Sequence, residues 1–132
     1  MDDTLLGLLG LCLRAGKLEV GEDLAREAAK SRKARLVLLA ADAADAVTRK
    51  AQGWQTDNCP VLTIPRSREE LGGAVGRGSC AVCAVTEVGF ASALVQKLAQ
   101  AQPETYGETA AALSRRAEKA VRRRREKRSL KN

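Results

Sequence analysis

The sequence predicts an α/β fold: a three-layer α/β/α sandwich on a small mixed sheet of about four strands, with a basic helical tail behind it. Two observations carry this. Short aliphatic runs alternate with helical stretches of about ten residues, the pattern of buried strands with helices packed across them. A chain of 132 residues has room for one core and a tail, and folding at this size hides roughly two-thirds of the unfolded surface.

Each element follows from local signals. Thr4 is the expected N-cap of a first helix over 5–15, closed by Arg14 in its last turn and Gly16 just beyond. Lys17 to Val20 reads as extended. Gly21 opens a second helix over 22–32, with Glu22 and Asp23 in the first turn, where the helix dipole favours acids. Arg35 to Ala41 is an aliphatic strand, and Asp42 or Ala43 starts a helix that runs to Gln52. Asp57-Asn58 is a turn before a strand from Pro60 to Ile64. Ser67 caps a helix ending near Gly76, Arg77-Gly78-Ser79 is a tight loop, and Cys80 to Thr86 is another strand. Phe90 to Gln100 is the last helix of the body. Pro103 marks a boundary between a domain over 1–102 and a basic tail over 103–132, helical or partly disordered. Ala110, Leu113, Ala117 and Val121 keep helical spacing there, with fraying expected beyond about Arg125.

Charge is uneven. Residues 1–102 hold 13 Lys+Arg against 12 Asp+Glu; residues 103–132 hold 10 against 4. The tail is therefore the cationic element, and Arg115, Arg116, Arg122, Arg123, Arg124 and Arg125 make it a surface for polyanions. Such contacts add affinity without sequence choice. One Trp, one Tyr and one Phe leave few platforms for stacking bases.

The pattern excludes most catalysis. The chain has no histidine, no nucleophile beside a base and no ligand set for a metal, so neither an enzyme nor a cofactor is expected. Cys80 and Cys83 resemble half of a zinc motif, but on a strand they face opposite ways, and no second pair completes a site. Buried thiols in a reducing cytoplasm are the expected reading. The apolar run from Leu5 to Leu13 is too short to cross a bilayer and follows Asp2-Asp3 rather than a basic flank. What remains is binding. Gly21 leaves the first N–H groups of its helix open to a ligand, and Glu22 and Asp23 can accept hydrogen bonds from base amino groups. The glycines around Arg77 and Ser79 let backbone approach a ligand closely.

Four segments then fit a known pattern: Gly21 with Ala28 seven residues on, Ala34 through Ala43, Glu70-Leu71-Gly72 with Ala74 and Gly76, and Ala84-Val85. Over residues 3–100 the chain resembles the superfamily of ribosomal proteins L-seven-Ae and L-thirty-e, in particular its small bacterial ribosomal-protein-like branch. The resemblance implies an α/β/α sandwich that binds kink-turn RNA without catalysis. The helix opened by Gly21 would enter the groove at tandem sheared G·A pairs, and the loop from Gly76 to Cys80 would cover flipped-out bases. The site residues it suggests, with the residue chemistry above, are Lys17, Gly21, Glu22, Asp23, Arg26, Gly76, Arg77, Gly78 and Ser79, joined by the six tail arginines. Partners would be ribosomal or other structured RNA, and the ribosome or its proteins, with the chain a monomer, cytoplasmic and off the membrane. The chain departs from the pattern where many members carry Asn-Glu, a Lys and a Glu: it has Asp23-Leu24, Glu27 and Ala44. Each base interaction missing for this reason should cost about 1–3 kcal/mol. The alternative is a protein-interaction module that docks a partner helix on the Ala110, Leu113, Ala117, Val121 stripe.

Overall fold

A computed structural model describes residues 3–131. In chain order the elements are α1 (Thr4–Arg14), β1 (Leu18–Val20), α2 (Glu22–Lys30), β2 (Leu36–Leu39), α3 (Asp45–Gln52), β3 (Val61–Thr63), α4 (Arg68–Ala74), β4 (Val82–Val85), α5 (Val88–Ala101) and α6 (Pro103–Lys131). The strands form one sheet in the order β1-β4-β2-β3. β2 runs parallel to β3 and antiparallel to β4, and β1 is antiparallel to β4. The expected mixed four-stranded sandwich is what forms.

Alternation along the central strands divides the core in two. Leu36 and Leu38 of β2, with Cys83 and Val85 of β4, face α1, α4, α5 and α6, where Leu9, Leu71, Leu94 and Leu113 pack on them. Val37 and Leu39, with Val82 and Ala84, face α2 and α3. α2 presents only small side chains to that second layer, Ala25 and Ala28 buried and Ala29 partly so.

Local signals set most of the boundaries. The Ser67 side chain accepts from the Glu70 N–H and the Glu70 carboxylate accepts from the Ser67 N–H, a complete capping box. Gly16 takes φ +74° just past α1, the left-handed backbone suited to glycine at a helix end. At the start of α1 the cap is Asp3, not Thr4: its carboxylate accepts from the Leu6 N–H at 3.2 Å and pairs with Arg66 at 2.6 Å. The Arg66 hydrogen bond holds the Asp3 carboxyl below its ordinary range. Helix α3 starts at Asp45 rather than at Asp42 or Ala43, because Asp42 is engaged elsewhere: it accepts from the Arg68 N–H at 2.7 Å.

Helix α6 runs from Pro103 to Lys131. Its first turns are core. Tyr106, Ala110 and Leu113 are buried in the same cluster as Leu94 and Leu98, and the Tyr106 hydroxyl donates to the Thr63 carbonyl at 2.7 Å. Half of the apolar stripe read as a docking face therefore seals this chain's own core, leaving Ala117 partly covered and Val121 exposed.

Candidate functional site

The strand directions bring four connections to one rim of the sheet, where β1, β2 and β3 end and β4 begins. Gly21 N–H donates to the Val82 carbonyl at 3.0 Å, Ala40 to Ala81 at 2.9 Å, Ala41 to Arg66 at 2.8 Å, and Cys80 to Arg68 at 2.9 Å. These bonds tie the start of α2, the turn before α3, the start of α4 and the loop 76–80 into one surface.

Two glycines make this rim. Gly21 caps α2 at φ +99°, ψ 163°, with no side chain to satisfy the first-turn N–H groups. L-residues rarely adopt that backbone. Gly72 lies inside α4, under the loop. A Cβ there would sit 2.7 Å from the Arg77 carbonyl oxygen and the Ser79 nitrogen, and 2.8 Å from the Ser79 Cα. The Arg77 N–H donates to the Gly72 carbonyl at 2.7 Å. The loop backbone thus rests on bare helix, with Gly76 at φ +73° turning it. Gly76, Arg77, Gly78 and Ser79 are all exposed.

The rim carries charges of both signs. Glu22 pairs with Lys50 of α3 at 3.4 Å, Asp23 with Arg26 at 3.3 Å, and Asp42 with Arg68 at 3.6 Å. The Arg68 N–H holds the Asp42 carboxyl below its usual range. The Asp23 side chain is 91% exposed, so its oxygens are open to a ligand despite Arg26. Leu24, 45% exposed, sets an apolar side chain beside it. No cluster of three or more His, Cys, Asp or Glu suited to a metal exists among the described residues.

Beneath the rim, the cysteine reading is corrected. Cys80 lies before β4 rather than on it, so strand alternation does not apply. Cys80 and Cys83 share one buried cluster. The hydrogen bond with Cys83 holds the Cys80 thiol below its ordinary range, aided by the Val82 and Gly21 backbone, while Cys83 is pushed up. Both are free, buried thiols, as expected.

The other sequence-derived residues lie elsewhere. Lys17 is at the opposite rim, where its carbonyl accepts from the Thr86 N–H. Arg116 and Arg123 reach that rim from α6, where they line a cleft with Arg35, Asn58, Val88, Lys119 and Ala120. Arg115, Arg122, Arg124 and Arg125 occupy other faces of α6. So the structure joins Gly21, Glu22, Asp23 and the loop 76–79, and separates them from Lys17 and the tail. Sequence reasoning missed Arg35 and Lys119. The available signal was Arg35's place at the start of the aliphatic run that forms β2, which puts it at the end of the sheet opposite Gly21.

The family model described as Ribosomal protein L7Ae/L30e/S12e/Gadd45 family matches residues 3–95. The chain belongs to this family. It is 39% identical over 95 residues to the RNA-binding protein YlxQ of Bacillus subtilis (strain 168), covering 69% of this chain and 91% of that one. Among solved structures, it is similar to a protein of unknown function from Bacillus halodurans C, at 30% identity and TM-score 0.66, over 72% of this chain and 96% of the other. The Giardia lamblia 15.5kD RNA binding protein shares the fold at 22% identity and TM-score 0.59, over 74% of this chain and 89% of that one. The matched family region ends inside α5, so α6 lies outside it. No described helix is long and apolar enough to cross a membrane.

Proposed function

We propose that this family member is a non-catalytic binder of structured RNA, using the rim formed by Gly21–Asp23 and Gly76–Ser79 to recognise a kink-turn-like element. The observation that carries this reading is the seating of the 77–79 loop on Gly72 beside the uncapped start of α2. That arrangement offers backbone N–H groups and an exposed Asp23 carboxylate on one rim, where the anionic Glu22 and Asp23 disfavour recognition of phosphate alone. The RNA-binding relative in Bacillus subtilis supports the choice of ligand.

Leu24, Glu27 and Ala44 stand where the family pattern has polar or cationic groups, so the rim relies on shape and backbone, and α6 supplies added electrostatic affinity. The RNA is proposed to be ribosomal or ribosome-associated, bound by a monomer in the cytoplasm. A gel shift of the full chain tests this, against a kink-turn RNA and a control whose G·A pairs are replaced by Watson–Crick pairs, at low and high salt. A preference for the kink-turn that survives high salt is expected. Equal binding to both RNAs, lost together as salt rises, would sink kink-turn recognition.

A further inference from the structure

The rim opposite the start of α2 carries charge that kink-turn binding at Gly21 leaves unused. Its cleft, of about 440 Å³, is lined by Arg35 from the body and by Arg116, Lys119 and Arg123 from α6. The three α6 residues are spaced i, i+3, i+7, which puts them on one helix face over about 10 Å. None of the four joins an ion pair among the described residues; those pairs involve Arg26, Lys50, Arg66 and Arg68.

Backbone carbonyls aim two of these cations without neutralising them. Arg116 donates to the Asp57 carbonyl, and Arg35 to the Arg32 carbonyl at 3.0 Å. Both guanidiniums lie near Cys59, opposing the rise that burial causes in its thiol. The acid nearest in sequence to Val88, Glu87, is occupied by the N–H groups of Gly89 and Phe90 at 2.9 and 2.8 Å.

We propose that this cleft is a second RNA-binding surface, which grips the phosphate backbone of a duplex segment separate from the RNA at the Gly21 rim, so that one molecule bridges two RNA segments. The inference rests on the reading of the chain as an RNA-binding protein, but not on kink-turn recognition. Arginine forks match phosphate oxygens. The row continues outward one turn further to Lys127, which is exposed, along the path of a strand leaving the cleft. The apolar lining is only Val88 and Ala120, without the large anchors that a membrane-surface helix inserts. The two rims lie at opposite ends of the same strands, so a ligand at one leaves the other free.

The test uses the full chain and a plain RNA duplex without G·A pairs. Three variants are compared with wild type: R116Q/K119Q/R123Q, R124Q/R125Q/R128Q with the same charge change on other faces of α6, and R35Q in the body. The first should weaken duplex binding by more than tenfold and flatten the salt slope by about 2–3, at roughly 0.7–0.9 for each phosphate no longer neutralised. The second should weaken it several-fold less, and R35Q should lower it measurably on its own. In a three-component assay, wild type already holding kink-turn RNA should recruit the labelled duplex, and the first variant should not. Equal effects in the two triple variants, or an R35Q indistinguishable from wild type, overturn the built surface in favour of diffuse tail charge. Binding to vesicles of mixed phosphatidylcholine and phosphatidylserine without duplex binding overturns the choice of RNA. If kink-turn recognition is wrong, wild type shows no kink-turn preference, yet the duplex comparisons still read out.

Discussion

Gly72→Ala is expected to lower RNA affinity by tenfold or more and to destabilise the fold by about 1–3 kcal/mol, the usual cost of forcing a group into a packed site. The added Cβ would meet backbone at 2.7–2.8 Å, from Arg77 and Ser79. Backbone cannot swing aside as a side chain can, so either the loop lifts from α4 or the helix shifts. Both separate the 77–79 loop from the start of α2. Gly73 provides the control. It is the next residue of the same helix, and a Cβ there meets nothing within 4 Å. Gly73→Ala should leave binding unchanged and stabilise the helix by up to about 1 kcal/mol. Urea unfolding and a binding titration on both variants read the contrast. If the two behave alike, the close approach at Gly72 has no bearing on the site.

Removing the start of α6 should have the largest effect on stability. Leu113 is wholly buried, and Leu113→Ala is expected to cost about 2–5 kcal/mol, in line with other core leucines. A chain cut after Gln102 loses Tyr106, Ala110 and Leu113 together and uncovers Leu94 and Leu98. Because small domains are stable by only about 5–15 kcal/mol, this shortened chain should be unfolded or molten in circular dichroism and thermal melts. A chain ending at Glu118 keeps all three core residues and should fold with a cooperative transition. It is also the right form for separating tail electrostatics from the body. A cooperative, native-like melt of the 1–102 chain would show that α6 is dispensable.

Much of the fold was readable because its signals are local. The short aliphatic run through Leu36 to Leu39 fits a strand buried on both faces, and Ser67 with Glu70 spells out a capping box. Gly16 and Gly21 mark a helix end and a helix start through their backbone needs. Where the reading missed, a distant partner decided. Asp3 replaces Thr4 as cap because Arg66, far along the chain, holds it. Asp42 stays out of α3 because it serves the Arg68 N–H. Cys80 turns inward because β4 begins two residues later than its sequence suggests.

The candidate site divides in the same way. Its glycines were legible one by one. That Gly21 and the 76–79 loop share a rim depends on β1 pairing with β4, a non-sequential neighbour that no local pattern reveals. The tail shows a converse failure. Its composition announced charge so strongly that Ala110, Leu113, Ala117 and Val121 read as a docking face, although Ala110 and Leu113, with Tyr106, belong to the core. Arg35 went unnoticed because an arginine at the start of an aliphatic run gains meaning only when α6 lies across it.

The most direct test of the proposed RNA rim is a backbone-amide NMR titration of the full chain with kink-turn RNA at about 200 mM salt, where nonspecific phosphate binding is weak. Large shift changes are expected at Gly21, Glu22, Asp23 and Gly76 through Ser79, with the amides of Arg35, Arg116 and Lys119 little changed until a second RNA segment is added. Changes confined to α6 and Arg35, with Gly21 and the 76–79 loop silent, would contradict recognition at this rim.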